Sequence, residues 1–419
     1  MESTSDAVND PASVAEDPAS VAAGFDPEHL PAEFFENPYP TYRWLRERDP
    51  VHRCPDGSFF LTRYADLDTV YRDRTHFSSD KKRAFGPKFG LGTPLYEHHT
   101  TSLVFNDDPY HARVRRQIAG ALTPNALKAM APAVTALIER LGDTLAEKGR
   151  FDLIEDFSAA IPVEVIGNLL GVPREQRASL RAWSLAILGA LDPALTMEQL
   201  ARGQQAVMEF LAFTKALVDE RRGDLRGPDD LLSRLIQDES GGAPLSETEL
   251  LHNCIFLLNA GHETTTNLIG NALVLLLTHD GERARLMSNP ALDVSTVEEC
   301  LRYESSNQFG NRLVSAAVTL GGVELAPGDY LTLCIGAANR DPERFPDPDR
   351  FDIGRTPNPH LGFAAGGHAC VGMSVARLEG QLAVGPLLRR FPTLTLAGTP
   401  IRGRRARFRG FRSIPAALA

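Results

Sequence analysis

The chain has few cysteines, and none of them is paired in sequence. Cys54, Cys254, Cys300, Cys334 and Cys370 are an odd number, widely scattered, with no CxxC. That excludes a disulfide framework or a zinc cluster of ordinary spacing and fits a reducing compartment. Also missing is any run of about 18 apolar residues that could span a bilayer. The N-terminus lacks a basic-then-apolar signal pattern, so a cytoplasmic protein with no membrane association is expected. Basic residues are in deficit, 44 against 54 acidic, for a formal net charge of -10. This disfavours a broad nucleic-acid or anionic-membrane surface.

What is present is ordinary globular composition, 43% hydrophobic and 23% charged over 419 residues, enough for one large core or two smaller ones. Residues 1–25 are acidic and alanine-rich and nearly repeat themselves (DPASVAEDPASVA). With few side chains able to anchor a core they are expected to form a disordered tail, leaving 26–419 as a single domain.

A short helix is expected at 42–47, then a small hairpin of 51–52 and 59–62 closed by Asp56-Gly57. Residues 84–105 mix glycine, proline and aromatics without a sustained period, which predicts a long binding loop. Its adjacent pair His98-His99 reads as solvated more readily than as a metal site. Helices follow at 109–122, 124–147, 162–170, 174–190, 196–222 and 229–238. The next begins at a capping-box spacing, Ser246 and Glu249, and keeps its apolar period to about His279, roughly 33 residues. Alternation returns at 314–318, 323–325 and 330–334, around a Pro327-Gly328-Asp329 turn. The fold class is therefore mainly α with minor β (α+β).

Two stretches carry chemistry. In the first, Phe363 to Gly372, glycines at 366, 367 and 372 surround Cys370, directly ahead of a helical pattern. Glycine lets backbone approach a flat, bulky group, and a helix N-terminus favours a deprotonated sulfur. In the second, Phe256, Asn259, Ala260, Glu263, Thr264 and Asn267 share one face of the long helix. Gly261 and three successive threonines are weak helix formers, so a groove is expected there.

Other residues are ambiguous alone. His111 and Arg115 share a helical face, Glu299 and Arg302 have the spacing of a solvated ion pair, and Arg312 and His368 stand singly. The arginine run 402–412 reads as an edge strand with a charged outer face.

Taken together, these residues resemble the cytochrome P-450 superfamily of haem-thiolate monooxygenases, in its soluble bacterial form, from about Asn37 to the C-terminus. The resemblance rests on four motifs in order: Ala260 to Thr265, Glu299 to Arg302, Pro348 to Phe351, and the Cys370 loop. It implies a P-450 fold with haem b between the long helix and the cysteine loop, and Cys370 as axial thiolate ligand to the iron, shielded by Phe363. It further implies that His111, Arg115, Arg312 and His368 grip the haem propionates, and that Glu299, Arg302 and Arg350 form a structural triad. Glu263 and Thr264 would be the acid-alcohol pair that delivers protons to the oxygen site. Two departures stand out: Ala364 where glycine is usual, and Ser306 where proline is usual.

By the same resemblance Phe256, Asn259, Ala260, Asn307, Gln308 and Phe309 line the substrate pocket. They suit a small, largely apolar organic substrate with a hydrogen-bonding group, since a buried unpartnered amide costs about 1 to 3 kcal/mol. With no flavin or iron-sulfur module in the chain, electrons are expected from ferredoxin plus ferredoxin reductase as separate chains, docking near Arg113 and Arg116. A monomer is expected. The rival readings are a peroxygenase or oxidative-coupling enzyme, and a non-catalytic haem sensor or carrier.

Overall fold

A computed structural model describes Ala22 and residues 24–223, 230–237 and 244–418. The tail expected over 1–25 lies almost wholly outside them. Its last residue is not tail-like: Phe25 is buried and packs on Phe60 with ring centroids 4.6 Å apart.

The short helix expected at 42–47 runs Tyr39–Arg48. The hairpin forms as β1 (Val51–Arg53) antiparallel to β2 (Phe59–Leu61), with Val51 opposite Leu61. After β3 (Phe77–Ser78) comes the first correction. Residues 84–105 are not a loop but two helices, α1 (Lys82–Phe89) and α2 (Pro94–Thr101), with a 3-10 turn at Leu103–Phe105. Thr93 caps α2 by accepting from the Tyr96 amide, and Pro94 occupies its first turn. Phe85 and Phe89, four apart, pack on each other at 5.1 Å; the glycines and Pro87 around them hide that period. His98 and His99 are buried instead of solvated, and burial holds both well below the ordinary histidine range, His99 at about 3.

Then come α3 (Tyr110–Ala121), α4 (Pro124–Lys148), α5 (Ala160–Leu169), α6 (Leu180–Gly189) and α7 (Met197–Gly223), close to the expected spans. The long helix, α8 (Glu247–Thr278), is 32 residues long, and its capping box is closed on both sides. It runs unbroken through Gly261, so the weak helix formers there do not interrupt it.

Helix α8 organises the interior. Its first half contributes residues such as Leu250, Ile255 and Leu258 to one apolar core, shared with Leu188 and Phe210. Its second half contributes Leu268, Leu273 and Leu276 to another, shared with Phe157 and Leu387. Between Leu258 and Leu268 the side chains belong to neither, and there the main cavity opens.

The rest of the chain closes that cavity. Helix α9 (Asp293–Tyr303) leads into β4 (Phe309–Val314) and β5 (Tyr330–Cys334), completing a five-stranded sheet of order β1-β2-β5-β4-β3. The cysteine loop precedes α10 (Met373–Arg390), and β6 (Ile401–Arg402) pairs with β7 (Phe411–Ser413). The arginines between those last strands are mostly not an outer charged face: Arg405, Arg407 and Arg409 turn inward onto partners in the body of the protein, while Arg404 is exposed. The fold is mainly α with small sheets. Among the described residues no helix is long and apolar enough to cross a membrane.

Candidate active site

The floor of the cavity is the loop before α10. The Cys370 amide donates to the Phe363 carbonyl at 2.9 Å, folding the loop back on itself. Two residues in it take left-handed backbone, Ala364 at φ +57° and Gly366 at φ +67°. A Cβ on Gly366 would stand 2.3 Å from the Tyr71 carbonyl oxygen, so only glycine fits. Of the five cysteines only Cys370 is not buried, and it opens onto the cavity while protein encloses it on its other sides. Burial pushes its thiol up; the Gly372 amide and the charges of Arg115 and Arg377 oppose that push. The ligand chemistry is a soft thiol three residues before the first turn of α10.

Helix α8 forms the facing wall. Phe256, Asn259, Ala260 and Thr264 line the cavity, and Thr264 Oγ1 donates to the Ala260 carbonyl at 2.8 Å. Glu263 is turned away behind Thr264 and does not line it. Its Oε1 meets Arg405 at 2.5 Å, while Oε2 has no partner among the described residues. Burial raises this carboxyl to about 7 against the pull of Arg405. Arg405 was missed in the sequence because it sits in a run that looks like surface charge.

Along one edge the cavity turns cationic. His111 and His368 stack at 3.8 Å and 28°. The His111 Nε2 and His368 Nδ1 atoms have no partner among the described residues, and Arg115 and Arg312 line the same cavity. Burial, then the nearby Arg115 and Arg74, hold His111 down at about 4. Two unfilled ring nitrogens and two guanidiniums suit a buried ligand bearing carboxylates. With a thiol on the floor and apolar walls, these residues fit a haem and its two propionates. Arg74, paired with Asp108 beside Gly367, joins this edge without any sequence signal.

The triad needs correction. Glu299 and Arg302 are both fully buried and joined by two bonds of 2.8 Å, so they are no solvated pair. The Arg350 side chain is 66% exposed and, among the described residues, comes no nearer an acid than 3.9 Å, to Asp352. Only its backbone takes part, accepting from Arg302. The third charged side chain at Glu299 is Arg355, 3.2 Å away.

Of the pocket residues expected after α9, Asn307 lines the cavity but Gln308 and Phe309 do not. Gln308 donates to the Ser305 carbonyl at 2.7 Å, and Phe309 packs edge-on against Phe60 at 5.3 Å on the far side of the sheet. Strand alternation explains the second: successive side chains point to opposite faces. Ser306 and Asn311, not anticipated, do line it. Of the two docking arginines, Arg113 is partly buried and paired with Glu249, whereas Arg116 is exposed.

The comparisons agree with this geometry. The sequence pattern of the cytochrome P450 family matches residues 51–289 and 287–407. The biotin biosynthesis cytochrome P450 of Bacillus subtilis (strain 168) is 36% identical over 383 residues, covering 87% of this chain and 92% of that protein. Cytochrome P450 monooxygenase PikC of Streptomyces venezuelae is 36% identical over 382 residues, covering 88% of each. The crystal structure of P450BioI, in complex with hexadec-9Z-enoic acid ligated acyl carrier protein, superposes with a TM-score of 0.87 at 33% identity, covering 93% of this chain and all of that one. A thiol-floored cavity with a cationic edge, matched from β1 to the C-terminal arginines, places the chain in the cytochrome P450 family: it is a haem-dependent monooxygenase.

Proposed function

We propose that this monooxygenase hydroxylates, epoxidises or dealkylates a small, largely apolar organic substrate, with Glu263 and Thr264 delivering protons. The observation that carries the reading is that Thr264 and Cys370 line one cavity, with Glu263 buried directly behind Thr264. When bound, haem b with its axial cysteine thiolate supplies the oxygen-activating chemistry.

The chain's own residues supply the rest. His111, Arg115, Arg312 and His368 hold the propionates, and Phe363 covers the sulfur. The Thr264 hydroxyl has lone pairs left to accept a bond while it donates to Ala260. Glu263, held near neutral pH by burial, keeps a proton available one residue behind it. Apolar side chains such as Leu191, Phe256 and Leu257 exclude water from the substrate side.

Electrons come from a separate protein, by this reading ferredoxin with ferredoxin reductase, and the exposed Arg116 contributes to its docking. The protein works as a cytoplasmic monomer with residues 26–419 as one domain. Thr264→Ala tests the reading: reducing equivalents should divert to hydrogen peroxide while Thr264→Ser stays largely coupled. A fully coupled Thr264→Ala enzyme removes the proton-delivery role. Product formation that needs peroxide alone, without oxygen or electrons, favours the peroxygenase rival.

A further inference from the structure

Two cations in the cavity wall belong to neither the thiol floor nor the four-residue cationic edge. Lys81, 1% exposed, stands immediately before α1, and Arg407 stands in the segment between β6 and β7; both line the cavity. Among the described residues neither forms an ion pair. Lys81 Nζ has one long bond, 3.4 Å to the Ser78 carbonyl, and lies 5.5 Å from the Tyr330 ring. Arg407 donates one bond, 2.6 Å to Asn311 Oδ1, and its Nε has no partner.

The acids nearby are committed elsewhere. Asp107 accepts from Ser78 and from the Ser79 amide, Asp80 holds Lys82, and Asp192 accepts from the Arg407 amide. Burial raises the Asp192 carboxyl, which weakens it as a counter-ion. Burial, and then the positive charges of Arg312 and Arg407, push the Lys81 ammonium well below its ordinary value. Two buried basic groups without a counter-ion are costly to keep charged unless an anion arrives with a ligand.

Resting on the monooxygenase reading, we propose that Lys81 and Arg407 bind a carboxylate on the substrate, so that the enzyme's substrates are organic acids with an apolar body. The same chemistry could come from the haem propionates. Those two carboxylates already have four donors in His111, Arg115, Arg312 and His368, which leaves Lys81 and Arg407 for a third. The apolar remainder of the acid would extend along Val104, Leu191 and Phe256 towards Thr264.

The test titrates haem-loaded enzyme with straight-chain alkanoic acids of graded length and with their methyl esters, reading displacement of iron-bound water from the haem spectrum. At the best-fitting lengths the acid should bind at least about tenfold more tightly than its ester, the worth of one charge-assisted hydrogen bond. Lys81→Gln and Arg407→Gln should each erase that preference at unchanged haem content, and Arg407→Lys should keep part of it. Asn311→Asp, which supplies an internal counter-charge to Arg407 without removing a buried side chain, should also erase it. Equal binding of acid and ester at every length overturns the proposal, as does a preference that survives in all the neutralising variants. Loss of haem from both glutamine variants overturns it in favour of the propionates. Absence of the thiolate spectrum in unaltered, haem-loaded protein would instead sink the haem-thiolate reading on which it rests.

Discussion

Arg405 and Glu263, 142 positions apart, meet in an ion pair whose Nη1–Oε1 distance is 2.5 Å. The second nitrogen of Arg405 donates to the Leu185 carbonyl at 3.0 Å, so one guanidinium ties the C-terminal segment to α6 and α8 together. Its charge offsets part of the burial that raises Glu263 to about 7. Without it the carboxyl would hold its proton to higher pH.

That relation predicts a pH profile. Glu263 ordinarily titrates at 4.5 and in the fold at about 7, so between those values the folded state holds a proton that the unfolded chain has lost. The stability it contributes is complete below 4.5 and is lost as pH rises through about 7. Coupled turnover should fall over the upper part of that window. Arg405→Gln should move the fall to higher pH, by about one unit or more, measured as product formed per electron pair. An unchanged profile would separate Glu263 from proton delivery.

Arg355 and Arg350 offer a direct comparison. Arg355→Leu takes a partner from the fully buried Glu299, which keeps Arg302 and the Asp352 amide, and should cost about 1 to 3 kcal/mol with easier haem loss. Arg350→Leu removes a mostly exposed side chain and should stay within about 0.5 kcal/mol. Denaturant unfolding of the two variants measures the difference; the reverse order would restore Arg350 to the triad.

The fold is legible in the sequence where one local signal decides the structure. The box of Ser246 and Glu249 marks the start of α8, and the glycines around Cys370 mark a loop that must pass close to Tyr71. It is not legible where tertiary partners decide. Arg350 and Arg355 are both arginines in an irregular, proline-rich stretch, and only the fold selects which one reaches Glu299. Arg405 and Arg407 look like the charged face of an edge strand until their partners on α8 and β4 are known. In the 84–105 stretch Gly86, Pro87 and Gly90 mask two short helices; α2 is sustained by packing against α7 and α8, and α1 by packing on α2.

The cysteine loop makes a prediction about glycine. Gly366→Ala must hold φ +67° and push its Cβ into the Tyr71 carbonyl, so it should cost at least about 2 kcal/mol and lower haem retention. Gly372→Ala, with ordinary φ and no neighbour within 4 Å, should cost about 1 kcal/mol or less. Equal effects would mean that the approach to Tyr71 relaxes freely.

Cys370→Ser should abolish the thiolate signature of the reduced carbon monoxide complex even where haem still binds, because the hydroxyl is a far weaker acid than the thiol and supplies no sulfur. The other four cysteines are buried, so none of them is placed to substitute. Retention of the signature would overturn Cys370 as the ligand.

Asn259 carries the last prediction. It is 1% exposed, lines the cavity, and neither atom of its amide finds a partner among the described residues. Gln308, expected in the same pocket, donates to the Ser305 carbonyl and does not line the cavity, so it drops out as a substrate contact. An unsatisfied buried amide costs about 1 to 3 kcal/mol, which a substrate hydrogen bond would recover. Asn259→Val should therefore stabilise the empty protein, or leave it unchanged, while weakening substrates that bear a polar group near the reacting carbon by about tenfold. Wholly apolar ligands should bind as well or better. The regiochemistry of oxidation should shift with it, because a lost hydrogen bond frees the substrate to turn over Thr264. Ligand titration of the haem spectrum and product analysis of the same variant check both parts, and a variant unchanged in affinity and regiochemistry would show that Asn259 does not orient the substrate.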